Sequence, residues 1–184
     1  MADITYEGLP TGLPADTDII PSQVPGGQTQ GYTLADVGTH NRALAEAHSD
    51  ADYTMLGVTA TPEKLNGYDA SLTSVGITTT LIPTAGSNTS SFTIDKAGIY
   101  RVTLSIEVES TTNESIDFII NVDGVPTPFK TGVDLRNNVI DRGSAGVNTF
   151  MSFTVGQVIE TYINTDGGNM DILIDSLTMT IKKE

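Results

Sequence analysis

The stretch Tyr100-Arg101-Val102-Thr103-Leu104-Ser105-Ile106-Glu107-Val108-Glu109 decides the fold. Tyr100, Val102, Leu104, Ile106 and Val108 fall on one side of an extended chain, and every residue between them is polar or charged. Successive side chains of a strand point to opposite faces, so this strict alternation predicts a strand with one face in a core and the other in water. Ile116, Phe118, Ile120 and Val122 repeat the pattern, and Asp123-Gly124 then supplies the residues that a tight hairpin turn requires. Further strands are predicted at 77–82, 91–94, 138–140, 149–155, 158–164 and 171–181, with Asp166-Gly167-Gly168-Asn169 as a turn before the last. Many short strands at regular spacing, with almost no helical pattern after Gly67, predict a two-sheet sandwich or jelly roll over residues 74–184.

Upstream of this region the grammar changes. Residues 1–32 carry Pro10, Pro14, Pro21 and Pro25 among several glycines, without hydrophobic periodicity. Such a segment reads as an extended arm that cannot build a core of its own. Its apolar residues Tyr6, Leu9, Leu13, Ile19, Ile20, Val24 and Tyr32, with Leu34 just beyond, need an external surface to cover them. Residues 33–73 read as short helices and a connector, with a helix over 33–52. Thr33 followed by Asp36 suggests a helix start, Arg42-Ala43-Leu44-Ala45-Glu46-Ala47 has high helix propensity, and Thr61-Pro62-Glu63 suggests a second start.

Composition narrows the partners. The net charge is −14 in 184 residues, and no Lys or Arg precedes Arg42. Nucleic acid and anionic lipid call for clustered basic residues, so neither is expected as a partner. No apolar run approaches the roughly 20 residues of a membrane helix. The N-terminal residues lack the charged and apolar regions of a secretion signal, so synthesis in a cytoplasm is expected. With no cysteine in the chain, neither disulfides nor thiolate chemistry is available.

Two stretches resemble known families. Gly57-Val58-Thr59-Ala60-Thr61, followed by Leu65-Asn66 and Asp69, resembles segments that recur in phage fibre and virion proteins, departing from them at Pro62-Glu63-Lys64 and Tyr68. Phe92-Thr93-Ile94 with Ala97-Gly98-Ile99-Tyr100-Arg101-Val102 resembles the opening of jelly rolls of the tumour necrosis factor (TNF)/C1q superfamily. Val155-Gly156-Gln157-Val158-Ile159-Glu160 resembles a later strand of those proteins, with Gln157 where an Asp is usual, and Leu177–Ile181 resembles their last strand. The resemblance implies a ten-stranded, trimeric jelly roll. An extended arm, a fibre-like connector and such a knob together resemble phage head fibres and capsid decoration proteins. What that implies is a virion protein on the capsid surface, with the major capsid protein as partner of the arm and two further copies as partners of the knob. An adhesin knob that binds a host-surface glycan or protein uses the same fold and stays open as the alternative.

Candidate chemistry is thin. His40 and His48, eight positions apart, lie about 80° apart around a helix and make no clean ligand pair. Ser144 in Arg142-Gly143-Ser144-Ala145-Gly146 lacks the spacing of a nucleophile elbow, and no histidine lies in the β region to activate it. The Gly-rich Pro25–Gly31 run lacks the lysine of a phosphate loop. Asp117, Asp123, Asp134, Asp141, Asp166 and Asp171 fall in or near predicted loops without a calcium-loop spacing; they read as turn formers, with an ion shared at a trimer axis open as the alternative. No enzyme activity, metal or cofactor is expected. The aromatics Tyr100, Phe118, Phe150, Phe153 and Tyr162, and with them Phe129, are expected in the sandwich core or at a trimer interface.

Overall fold

The computed structural model describes residues 19–23, 29–33, 43–49, 52–65, 67–68, 70–81, 90–111, 114–136 and 141–184. The chain divides into two compact units, Met1–Arg42 and Ala43–Glu184. In the first, β1 (Ile19–Gln23) and β2 (Thr29–Thr33) form an antiparallel hairpin, with Ile19 opposite Thr33 and Gln23 opposite Thr29. The arm therefore contains sheet where only extended backbone was expected. Pro21 is compatible with it because each strand of an isolated pair is an edge with one free side. Of the expected attachment residues, Ile19, Ile20 and Tyr32 lie in this hairpin. Tyr6, Leu9, Leu13, Val24 and Leu34 lie outside the described residues, as does His40.

The second unit opens with β3 (Leu44–His48), β4 (Tyr53–Val58), β5 (Glu63–Lys64), β6 (Ala70–Val75), β7 (Ile77–Thr80) and β8 (Ser91–Ile94). It continues through β9 (Gly98–Ser110), β10 (Ser115–Val122), β11 (Val125–Asp134), β12 (Asp141–Phe153), β13 (Val158–Thr165) and β14 (Met170–Lys183). The front sheet has the order β12-β9-β14-β3-β6, with β4 paired to the first half of β14. The back sheet has the order β11-β10-β13-β8-β7, with β5 paired to β13. Every pairing is antiparallel.

The alternation in β9 is realised in full: Tyr100, Val102, Leu104, Ile106 and Val108 are buried between the sheets. Ile172, Ile174, Leu177, Met179 and Ile181 of β14 line the same face, and Phe92, Ile116, Phe118, Ile159 and Ile163 meet them from the back sheet. Each such side chain contributes about 1.5–3 kcal/mol on burial. In β14 the inward parity changes after Ile174, at a register shift between Ile174 and Ser176. A bulge inserts one residue, so Asp175 and Ser176 both escape the core. The β10–β11 hairpin turns on Asp123 and Gly124 at φ 53° and 75°, both left-handed, as the Asp-Gly pair predicts.

Several expectations are corrected. Within the predicted helix over 33–52, Leu44–His48 is strand β3, inserted between β14 and β6. Ala43, Ala45 and Ala47 are buried at a period of two, and pairing on both sides outweighs their helix propensity. No helical turn follows Pro62; Glu63–Lys64 instead pairs with Tyr162 and Ile163 of β13. Residues 43–73, read as part of a connector, thus supply β3, β4, β5 and most of β6 to the two sheets. Strand β11 went unrecognised because Pro126 and Pro128 argue against a central strand, and it lies at a sheet edge, where proline is tolerated. Strand β12 starts at Asp141, well before the predicted 149. The predicted strand over 138–140 lies outside the described residues.

Candidate functional site

The outward face of the front sheet is the most distinctive surface of the second unit. Its edge strand β12 pairs with β9 over thirteen residues, from Asp141↔Ser110 to Phe153↔Gly98, without a register shift. Among the described residues, the other side of β12 has no strand paired to it. Exposed edges invite pairing with other chains, and proteins blunt them with proline, lysine, bulges or short length. The β11 edge is blunted in this way by Pro126, Pro128 and Lys130. Strand β12 has none of these devices, and from Gly143 to Phe153 it carries no charge.

Small residues make its length workable. A side chain at Gly143 would run into Val133 Cγ1 and crowd Leu135, both buried on the facing edge of the back sheet. Gly143 thus lets the two sheets close on each other at this edge. Past it, the inward side chains Ala145, Val147 and Met151 pack only partly against the core.

Two chemistries meet on the outward face. Near the start of β9, Ile99 is 57 % exposed and Phe150 is 55 % exposed. The Arg101 guanidinium carbon lies 5.1 Å from the Phe150 ring centroid, and Arg101 Nε lies 3.5 Å from Glu184 Oε1. Farther along, Arg142 Nε donates to Glu109 Oε2 at 2.6 Å and lies 3.7 Å from Asp175 Oδ2. Glu107, Arg142, Ser144 and Asp175 line an open cleft of about 320 Å³. Burial holds the Asp175 carboxyl above the usual carboxylate range; Arg142 opposes this, while Glu109, Asp52 and Glu107 reinforce it. The hydrogen bond to Glu109 in turn raises Arg142. One guanidinium therefore serves several carboxylates, an arrangement of structural ion pairing. Among the described residues, no group of three or more His, Asp or Glu is placed to hold a metal ion.

The five aromatics singled out from the sequence separate into two sets. Tyr100, Phe118 and Phe153 are core residues, with the Tyr100 and Phe153 rings 5.6 Å apart and tilted by 57°. The Tyr100 hydroxyl donates to the Lys96 carbonyl. Phe150 and Tyr162 are not core residues: Phe150 faces outward on the front sheet, and Tyr162 is half-buried on the outer side of the back sheet. Beside Tyr162, Glu160 pairs with Lys64. Partial burial and the neighbouring Glu160 both raise the Tyr162 phenol. Phe129 is partly buried against the core.

Sequence reasoning missed Tyr68. It is fully buried, its ring meets Phe92 edge-on at 5.6 Å, and its hydroxyl shares a hydrogen bond with Thr161 Oγ1 at 3.1 Å. Burial raises its phenol well above the usual range, with the Thr161 bond opposing. Its neighbour Gly67, at φ 135°, lies under the Tyr53 ring, where any side chain would overlap it. Tyr68 stands outside any alternating run, so no periodicity marks it.

No protein-family model matches the sequence, and no curated protein matches it. Solved structures do match. The structure of Eiger TNF from S. frugiperda superposes with a TM-score of 0.55 at 11 % identity, covering 78 % of this chain and 94 % of that one. The globular domain of the zebrafish complement 1qA protein gives a TM-score of 0.50 at 7 % identity, covering 76 % and 96 %. The fold is a TNF/C1q-like jelly roll. At these identities the likeness concerns the fold alone. Within the TNF/C1q-like jelly roll, the unguarded β12 edge and the exposed Phe150 are features of this chain's own residues.

Proposed function

We propose that this chain is a non-enzymatic virion protein that displays a trimeric β knob on the outside of a phage capsid and attaches to the major capsid protein through its N-terminal region. The observation that carries the self-association is the thirteen-residue β12 edge, which has no strand partner among the described residues and no device to repel one. Phe150 and Ile99 stand beside it on the outward face of the same sheet, and covering them removes apolar surface from water. In a closed ring of three, the β12 edge and outward face of each copy meet a different surface of the next copy, so the contact is heterologous and the rotation closes.

The capsid attachment rests on the division of the chain. Residues 1–42 form a unit separate from the jelly roll, rich in proline and glycine and acidic until Arg42. Its scattered apolar residues suit an external surface, and three copies on one knob raise the effective concentration of each. The resemblance of residues 57–69 to phage virion segments supports the same reading. It is tested by sedimentation of the full chain and by electron microscopy of shells with and without it. A trimer in solution and added density on the shells are expected. A stable monomer at micromolar concentration would overturn the trimer. A trimer that ignores shells but binds host-surface glycans would overturn the capsid role.

A further inference from the structure

The Arg142 end of the outward front face is short of cations. Glu107 and Glu109 on β9 and Asp175 on β14 gather around Arg142, and Tyr53, opposite Ile174, brings Asp52 to the same level. Arg142 already pairs with Glu109 at 2.6 Å and lies 3.7 Å from Asp175. Among the described residues it is the only positive charge acting on Asp175, against Glu107, Glu109 and Asp52. Glu107 stands opposite Ser144 on one side and Ser176 on the other, is exposed, and lines the cleft of about 320 Å³. The cleft therefore holds uncompensated negative charge on the face that the self-association would cover.

A cation of matching reach stands on the adjoining edge. Arg136 follows β11, and its amide donates to Asp141 Oδ2 at 3.0 Å. Asp141 stands opposite Ser110 and Arg142 opposite Glu109. Arg136 is thus within roughly 7 Å of the cluster's level along the strands, about two residues' rise, on the side where β11 and β12 form the sheet edges. Its side chain is 79 % exposed, and its Nη2 pairs with Asp134 at 3.1 Å on the back-sheet edge. An exposed pair of this kind holds weakly. The carboxylates beside Arg136 have other donors: Asp134 accepts from the Ser115 hydroxyl at 2.6 Å, and Asp141 accepts from the amides of Arg136 and Arg142.

We infer that Arg136 of each copy inserts into the acidic cleft of the next copy, between its Glu107 and Asp175. The inference rests on the self-association read from the β12 edge and adds the register in which the copies meet. Rotation about an axis along the strands leaves every level unchanged, so a closed ring brings the β11–β12 edge of one copy to the face of the next with Arg136 at the level of the cleft. A dyad that reversed the strands would carry Arg136 to the other end of that face, where Arg101 stands opposite Lys182. Like charges would meet there, and the carboxylates of the cleft would stay uncompensated. The charge pattern thus favours the ring over the reversed dimer, and the attraction weakens with salt.

The full chain contains no cysteine, so single cysteines test the contact directly. Arg136→Cys is co-expressed with Glu107→Cys, each under its own tag, and the assembled protein is treated with a short bismaleimide. A cross-link that joins the two tags can only bridge two copies, and it is expected here. Arg136→Cys paired with Lys182→Cys, exposed at the other end of the face, should give none above background. By sedimentation equilibrium, Arg136→Glu should raise the concentration for half assembly at least about tenfold. Adding Glu107→Arg to that variant should restore assembly to within about threefold of the wild type, a recovery that independent effects would not give. Both positions are exposed, so circular dichroism should show the fold unchanged. Cross-links to Lys182→Cys in place of Glu107→Cys, wild-type assembly of Arg136→Glu, or losses that merely add in the double variant would overturn the contact and leave the self-association in place. A stable monomer of the unmodified chain at micromolar concentration would instead overturn the self-association itself.

Discussion

Tyr100 and Arg101 are neighbours in sequence on opposite faces of β9, so replacing each with alanine tests the register of the whole front sheet. Tyr100 is fully buried, packs against Phe153 and donates to the Lys96 carbonyl. Truncating a buried aromatic to alanine costs about 3–5 kcal/mol, and leaving the Lys96 carbonyl without its partner adds about 1 kcal/mol. Arg101 loses a half-exposed pairing to Glu184 at 3.5 Å, which screening holds to about 0–1 kcal/mol, and a stacking contact worth about 0.5–1 kcal/mol. A domain of this size holds about 5–15 kcal/mol in total, and each kcal/mol moves its midpoint by about 2–4 °C. Tyr100→Ala should therefore melt about 8–24 °C below the wild type, whereas Arg101→Ala should fall by only about 1–8 °C. Tyr100→Asp should not fold, because its charge would be buried without a partner. Calorimetry at matched protomer concentration separates folding from assembly, since association shifts the midpoint by mass action. Equal melts for the two alanine variants would mean that β9 pairs one residue out of register, which would turn every side chain of the strand to the other face.

Other consequences follow from the same packing. A chain beginning at Ala43 should fold, but one beginning at Tyr53 should not: it lacks β3, which fills the slot between β14 and β6, and circular dichroism melts of the two distinguish them. Gly143→Val should cost about 1–3 kcal/mol of stability, read as a lower urea midpoint, because Val133 and Leu135 cannot move aside without disturbing the back sheet; an unchanged midpoint would place the β12 edge elsewhere. Asp175 binds its proton more tightly in the folded chain than in the unfolded one, so its contribution favours folding at low pH and is lost as pH rises from the usual carboxylate range through its raised value. Asp175→Asn should accordingly gain stability relative to the wild type at neutral pH and lose that advantage in acid. A pH-independent difference would refute the assignment.

Legibility in the sequence followed the number of neighbours that each strand has. Strands β9, β10 and β14 lie inside their sheets and carry long runs of large apolar side chains on one face, so period-two alternation alone located them. Edge strands obey weaker rules. Strand β11 keeps two prolines because one side of its backbone has no ladder to fill, and the first half of β12 runs through Gly143, Ser144, Ala145 and Gly146, which carry almost no hydrophobic signal. The candidate interface was half legible. Phe150 was marked as an aromatic of interest, but its outward direction depends on its register with Arg101, which only the pairing of β12 supplies.

Strand β3 is the instructive failure, and it bears on how the chain is divided. Arg42 to Ala47 reads as helix because alanine is the strongest helix former, and alternation of alanine with Leu44 and Glu46 hardly registers on a hydrophobic scale. In the jelly roll the same alanines are fully or almost fully buried against the core. Small side chains suit that position, because β3 lies beside β14, whose Met179 and Ile181 turn inward opposite Ala47 and Ala45 and fill the space. Local propensity is worth only tenths of a kcal/mol per residue, whereas a strand paired on both sides gains a full set of ladder bonds and the burial of a whole face. The tertiary slot therefore overrides the local preference, and residues 43–48 belong to the knob and not to the arm. Residues that could still act as a detachable anchor are those before Ala43, so the proposed capsid attachment by the arm must be sought within Met1–Arg42.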